Sequence, residues 1–168
     1  MVSKLRGVLA VSMVGLLAAC HSGVKLDKNA NANGGGYGTN PNAVSQVTVD
    51  PLNDPNSPLA KRSIYFDFDS YSVKDDYQSL LQQHAQYLKS HPDRHVLIQG
   101  NTDERGTSEY NLALGQKRAE AVRRALSLLG VPDSQMEAVS LGKEKPQADG
   151  HDESSWAQNR RADLVYQQ

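Results

Sequence analysis

Cysteine is almost missing from this chain. Cys20 stands alone among 168 residues, so no disulfide can form within the chain. Long apolar runs are missing too. The stretch from Val8 to Ala19 covers 12 residues. As a helix it reaches roughly 18 Å, against a hydrocarbon core of roughly 30 Å. No charge of one sign dominates: 18 basic residues face 19 acidic ones for a net of −1, which gives no footing for nucleic-acid binding. Histidines stand at 21, 84, 91, 95 and 151, a spacing that matches no zinc-ligand set. His84 and His91 lie about two helical turns apart, too far to share an ion directly. No serine or cysteine nucleophile motif appears. Composition and spacing therefore point away from a metal hydrolase.

What is present begins at the N-terminus. Lys4 and Arg6 precede the apolar run, a basic start and short core that read as a secretory signal over residues 1–19. The run ends in Leu17-Ala18-Ala19-Cys20, which resembles a bacterial lipobox with cleavage before Cys20. That resemblance implies acyl chains on Cys20. Several chains, at about 0.8 kcal/mol per buried methylene, anchor a protein essentially for good. His21 rather than Asp follows the cysteine, which by the same resemblance implies the outer membrane. Losing Lys4 and Arg6 makes the mature chain two charges more negative, and still nothing suggests nucleic acid.

Residues 20–60 read as the lipidated N-terminus and a flexible tether. Asn29 to Asn33 alternates with alanine, Gly34 to Gly38 is nearly all glycine, and prolines stand at 41, 51, 55 and 58. Such a composition buries too little apolar surface to offset the entropy of ordering. Forty flexible residues span on the order of 35 Å and stretch to roughly 130 Å. Val44 to Val49 is the one segment in it with strand character.

Residues 61–168 read as one domain, with the fold starting near Leu59. Ser63 to Phe68 alternates as a strand. A helix is expected from Ser70 or Ser72 to Ser90, with Val73, Tyr77, Leu80, Leu81, His84 and Leu88 inward. His95 to Gly100 is a second strand. A polar loop, Asn101 to Gly106, leads to a helix capped by Thr107 or Ser108. Its stripe is Gly115, Ala119, Val122, Leu126 and Leu129, and Gly130-Val131-Pro132 closes it. Met136 to Leu141 and Arg161 to Tyr166 are further strands. Ser154 to Asn159 forms a short helix with Trp156 beneath it. The order βαβαβ(α)β predicts an α/β domain of the α+β two-layer kind, a mixed four-stranded sheet with helices on one face.

Two charges of opposite sign carry the functional argument. Asp103 sits in the loop. Arg118 sits about 15 Å down the helix from the cap, and its long side chain leans back toward the N-terminus. With Asn111 and Leu114 on nearly the same face, Arg118 can point at the loop. A carboxylate and a guanidinium across one gap can hold a ligand that is both cation and anion. The plainer outcome is an Asp103–Arg118 ion pair, which on spacing alone is the commoner one.

The stretch Asn101-Thr-Asp-Glu-Arg-Gly-Thr107, with Tyr110-Asn111 and Leu114-Gly-Gln-Lys-Arg-Ala119, resembles the signature of OmpA-like peptidoglycan-binding domains. The resemblance runs from about Ile64 to Tyr166. It includes Tyr65 to Asp69, Gly142 to Pro146, Gly150 to Glu153 and Asn159 to Ala162. It implies peptidoglycan as partner, with meso-diaminopimelate of the stem peptide as the ligand. Asp103 is then expected to take its ammonium and Arg118 its carboxylate. Phe68 and Asp69 are expected to supply main-chain bonds, and Asn101, Thr102, Asn111 and Leu114 to shape the pocket. The lipoprotein members of the family further imply TolB and the Tol system as partners, outer-membrane lipid held through Cys20, and a role in outer-membrane constriction at division. No cofactor is implied. One other resemblance competes: Asp67-Phe-Asp69 at a strand end is similar to the aspartyl site of haloacid-dehalogenase phosphatases, although Ser70-Tyr71 departs from that pattern.

Overall fold

Alternation at residues 95–100 produces a strand with one dry face. In the structure, a computed structural model that describes residues 50–167, Val96 and Ile98 are buried while Leu97 and Gln99 are only partly covered. The same alternation recurs in the strand's neighbours. The sheet has four strands: β1 (Ser63–Tyr65), β2 (His95–Asn101), β3 (Met136–Gly142) and β4 (Arg161–Gln167). Their spatial order is β1-β4-β2-β3. β4 runs antiparallel to both β1 and β2, and β3 runs parallel to β2. Ile64 pairs with Ala162, and Ile98 with Leu164 and Ala138, so one face of the sheet is apolar from edge to edge.

Two long helices cover that face. α1 (Gln78–Ser90) contributes Leu81, Ala85 and Leu88, and α2 (Ser108–Leu128) contributes Ala119, Val122 and Leu126, all in one core with the strand residues. The third helix, α3 (Glu153–Asn159), is short and capped by Asp152. This is the expected mixed sheet with its long helices on one face.

α2 and β2 approach so closely that only glycine fits between them. A Cβ added at Gly100 would stand 1.8 Å from the Gly115 carbonyl oxygen, and one at Gly115 would stand 2.7 Å from the Gly100 oxygen. The contact fixes the helix's height on the sheet, and with it the height of Arg118 over the loop that follows β2.

Three expectations need correction. β1 stops at Tyr65 rather than Phe68: the Phe66 N–H still bonds to the Arg160 carbonyl at 2.9 Å, and beyond it Phe68 and Asp69 turn away to line a cavity described below. α1 starts at Gln78, not at Ser70 or Ser72. A single 3₁₀ turn at Asp75–Tyr77 precedes it, and the carbonyls of Asp67 and Ser70 bond to a side chain instead of to helix N–H groups. The fold also begins before Leu59. Leu52 and Leu59 are buried against Tyr87, and Asp50 accepts hydrogen bonds from Arg94 Nη2 at 3.0 Å and the Tyr87 hydroxyl at 3.2 Å. Proline content hid this strap, because its anchors are single residues whose partners lie on α1 and just beyond it. The segment 1–19, Cys20 and Val44–Val49 lie outside the described residues.

Candidate ligand-binding site

The loop after β2 is built to hold a carboxylate still. A register shift between Gly100 and Asn101 turns the chain out of the sheet. The Thr102 N–H then bonds to the Gly142 carbonyl at 2.8 Å. The Thr102 hydroxyl donates to the Asp103 carbonyl at 3.0 Å, and Asn111 Nδ2 donates to the Arg105 carbonyl at 2.9 Å. Thr107 caps α2 by accepting from the Tyr110 N–H. Between these anchors Asp103 is 5 % exposed.

Burial alone would raise the Asp103 carboxyl. The hydrogen bonds and charge of Arg105, with Arg160 behind it, outweigh burial and hold it below the usual range. Arg105 Nη2 stands 2.6 Å and Arg160 Nη1 3.4 Å from Oδ2. Arg160 also donates to the Phe66 carbonyl and to Glu153, so it ties the end of β1, α3 and the loop together. The Arg105 guanidinium lies between two rings, 4.1 Å from the centroid of Phe68 and 4.1 Å from that of Trp156.

Arg118 faces this loop from α2. It is 0 % exposed, and among the described residues it forms no ion pair. The Asp103–Arg118 ion pair that spacing favoured does not form, because Arg105 and Arg160 take the carboxylate. Three carbonyls hold the Arg118 guanidinium: Ser70 on Nε at 2.8 Å, Asn101 on Nη1 at 2.8 Å and Asp67 on Nη2 at 3.2 Å. A guanidinium has five N–H groups, so one donor remains on each terminal nitrogen. Burial pushes its pKa down to about 10, against which the Asp103 charge acts. It stays a cation at neutral pH, and a buried cation without an anion is costly unless a partner arrives.

Both groups line one cavity of about 230 Å³, with Phe68, Asp69, Thr102, Asn111 and Leu114 as further walls. Seven of the eight expected pocket residues therefore meet. Asn101 does not line the cavity. Its side chain is fully buried and turned toward Asp163 and the Gln99 carbonyl, and only its own carbonyl serves the site, through Arg118. Asp69 adopts the left-handed backbone region (φ 53°) and accepts a hydrogen bond from the Tyr110 hydroxyl. Asp residues tolerate that region better than most. Asp67 points the other way, exposed and paired with Lys74, so the two acids of Asp67-Phe-Asp69 diverge rather than converge as a phosphatase site requires.

Sequence reasoning passed over Arg105, Tyr110, Trp156 and Arg160. Arg105 had a local signal, since an Asp and an Arg two apart in a loop can pair. Arg160 stands in a block of the family resemblance and Trp156 under the short helix, but neither spacing aims at Asp103, because both reach the site only through the short helix between β3 and β4.

The OmpA family model matches residues 65–160, a span that holds the whole cavity. The chain is 43 % identical over 164 residues to the peptidoglycan-associated lipoprotein of Pasteurella multocida, covering 97 % of this chain and 99 % of that protein. It is 49 % identical over 138 residues to the protein of the same name in Pseudomonas aeruginosa, covering 79 % of each. Among solved structures, the peptidoglycan-associated lipoprotein of Burkholderia pseudomallei is 91 % identical, with a TM-score of 0.69, covering 70 % of this chain and all of that one. The C-terminal domain of Helicobacter pylori MotB shares the fold at 21 % identity, with a TM-score of 0.60, covering 64 % of this chain and 85 % of that one.

Proposed function

The chain belongs to the OmpA family, and from that premise we propose that it is an outer-membrane lipoprotein whose domain grips the peptide stem of peptidoglycan. The ligand is the free end of meso-diaminopimelate, which carries an ammonium and a carboxylate on one carbon. The observation that carries this reading is Arg118: a buried cation with no ion-pair partner among the described residues, on the wall of a cavity that Asp103 also lines. The two remaining guanidinium donors suit the ligand's carboxylate, and Asp103 suits its ammonium. Phe68 and Asp69 supply backbone groups at the mouth. Thr102, Asn111 and Leu114 set its shape, with Asn101 acting from behind through its carbonyl.

The chain is not an enzyme: its relatives carry the name peptidoglycan-associated lipoprotein, and the span it shares with them is that of the OmpA family. Function then rests on two attachments. Removal of residues 1–19 leaves Cys20 to carry the lipid, and the tether up to the strap at Asp50 spans the gap between membrane and wall. Such a protein fastens the outer membrane to the wall without a covalent bond to it. Kinship with the lipoprotein members supports TolB and the wider Tol system as partners, and a part in drawing the outer membrane inward at division.

Sedimentation with purified sacculi tests the reading. The protein is expected to pellet with diaminopimelate-type sacculi, to return to the supernatant when free meso-diaminopimelate is added, and to stay in the supernatant as Asp103→Asn. Co-sedimentation of Asp103→Asn at the wild-type level contradicts it.

A further inference from the structure

Asp103 has no acceptor site left over. Oδ1 accepts the Arg105 backbone N–H at 3.2 Å and Arg105 Nε at 3.3 Å. Oδ2 accepts Arg105 Nη2 at 2.6 Å and Arg160 Nη1 at 3.4 Å. A carboxylate offers about four lone-pair sites, so an ammonium reaching Asp103 must remove a donor that is already there.

The donors differ in how firmly they are held. The Arg105 N–H is part of a pinned loop. The Arg160 side chain is 7 % exposed and is bound as well by the Phe66 carbonyl and Glu153. The Arg105 side chain is 31 % exposed, and its polar contacts are to acids alone. It also has somewhere to go. Glu153 Oε2 lies 3.8 Å from the same Nη2 that holds Asp103, and the Phe68 and Trp156 rings face the guanidinium 4.1 Å away on each side. Two flat faces keep the plane of the group while leaving its edge free to turn from one acid to the other.

We propose that Arg105 is an internal occupant of the ammonium seat, released from Asp103 toward Glu153 when an ammonium-bearing ligand enters. This rests on the assignment of Asp103 as the ammonium acceptor. The free protein then spends only part of its time with the seat vacant, and its apparent affinity is lowered by that fraction. Arg105 thereby sets the strength of binding for ligands that carry an ammonium and leaves other ligands unaffected. It also keeps a buried carboxylate charge-compensated when no ligand is present, which protects the loop geometry between binding events.

The test is titration calorimetry on the full-length protein in detergent, with meso-diaminopimelate and with pimelate, the same carbon chain bearing both carboxylates and no amine. Arg105→Gln is expected to bind meso-diaminopimelate about tenfold more tightly than the wild type, the gain for a seat vacant about a tenth of the time. Pimelate is expected to bind the two proteins equally. In the wild type, the Arg105 Nε–H resonance is expected to exchange faster with water once meso-diaminopimelate saturates the site, a readout that needs no variant. Equal or weaker binding by Arg105→Gln, or an Nε–H whose protection ligand leaves unchanged, overturns the proposal. If the wild type binds and Asp103→Asn does not, that failure is confined to Arg105. If the folded wild type binds no meso-diaminopimelate, the ligand assignment falls and this proposal falls with it.

Discussion

Arg118→Lys separates the two roles of the buried guanidinium. The substitution keeps the charge and removes the fork. Arg118 reaches three carbonyls on two segments, Asp67 and Ser70 after β1 and Asn101 at the end of β2. A lysine ammonium is a single point and can serve one of them from that position. Two carbonyl bonds are therefore lost. Those of Asp67 and Ser70 lie on exposed and half-buried residues that water can reach, so each loss costs about 1 kcal/mol rather than the full penalty of an orphaned group. The sum, about 2 kcal/mol, corresponds to a fall in Tm of about 8 °C for a domain of this size. Ligand binding loses the paired donation to a carboxylate, about 2 kcal/mol more, or roughly 30-fold in Kd. Circular dichroism melting gives the first number, and calorimetry with meso-diaminopimelate well below the variant's Tm gives the second. A Tm within about 2 °C of wild type, with affinity unchanged, would falsify the assignment of Arg118 as both brace and carboxylate ligand. A lowered Tm with unchanged affinity leaves the brace and removes the ligand contact.

Further outcomes follow from the same structure. Gly100→Ala places a Cβ 1.8 Å from backbone, so β2 and α2 must separate; a loss of about 3 kcal/mol in urea unfolding is expected, and a loss under 1 kcal/mol contradicts the close approach. Asp103 is held below its ordinary value, so its contribution to stability is present above the unfolded value near pH 4 and lost as pH falls through the folded one. The stability gap between wild type and Asp103→Asn should be steady from pH 7 to about 5 and shrink below about pH 4; a gap that widens in acid refutes the pairing. His84 is buried between the Tyr166 hydroxyl and the Lys61 carbonyl, and burial lowers its pKa, with the Lys61 bond opposing. Its neutral form is the folded one, so stability is full above the unfolded value near 6.5 and is lost as pH falls below it. His84→Gln should flatten that slope between pH 7 and pH 5, and an unchanged slope places its origin elsewhere.

The parts of this fold legible in the sequence are those where a period repeats. Val96 and Ile98 alternate, and Gly115, Ala119, Val122 and Leu126 recur at helical spacing, so β2 and α2 are readable, with Thr107 one of two candidate caps. Arg118 and Asp103 followed from that geometry, because a cap position and a helical rise fix where a long side chain can reach. What stayed hidden depends on contacts distant in sequence. The strap at residues 50–60 looks like linker because its anchors, Asp50, Leu52 and Leu59, stand among prolines and carry no period. Its order comes from Tyr87 and Arg94. Asp67 looks like part of a strand and Ser70 like the start of a helix, and only the Arg118 bonds to their two carbonyls explain why neither is. The partner of Asp103 is hidden for the same reason: helical spacing shows only the pairing with α2, while the cations on Asp103 come from the loop itself and from the end of α3.

The central claim is a cavity with one seat for an ammonium and one for a carboxylate carried on the same carbon. Two stem tripeptides test it, identical except that the third residue is meso-diaminopimelate in one and L-lysine in the other. The lysine peptide keeps the ammonium and lacks the carboxylate that Arg118 is to receive. Calorimetry with the wild-type protein should give at least about 30-fold tighter binding for the diaminopimelate peptide. Equal affinity for the two, or a preference for lysine, contradicts the account.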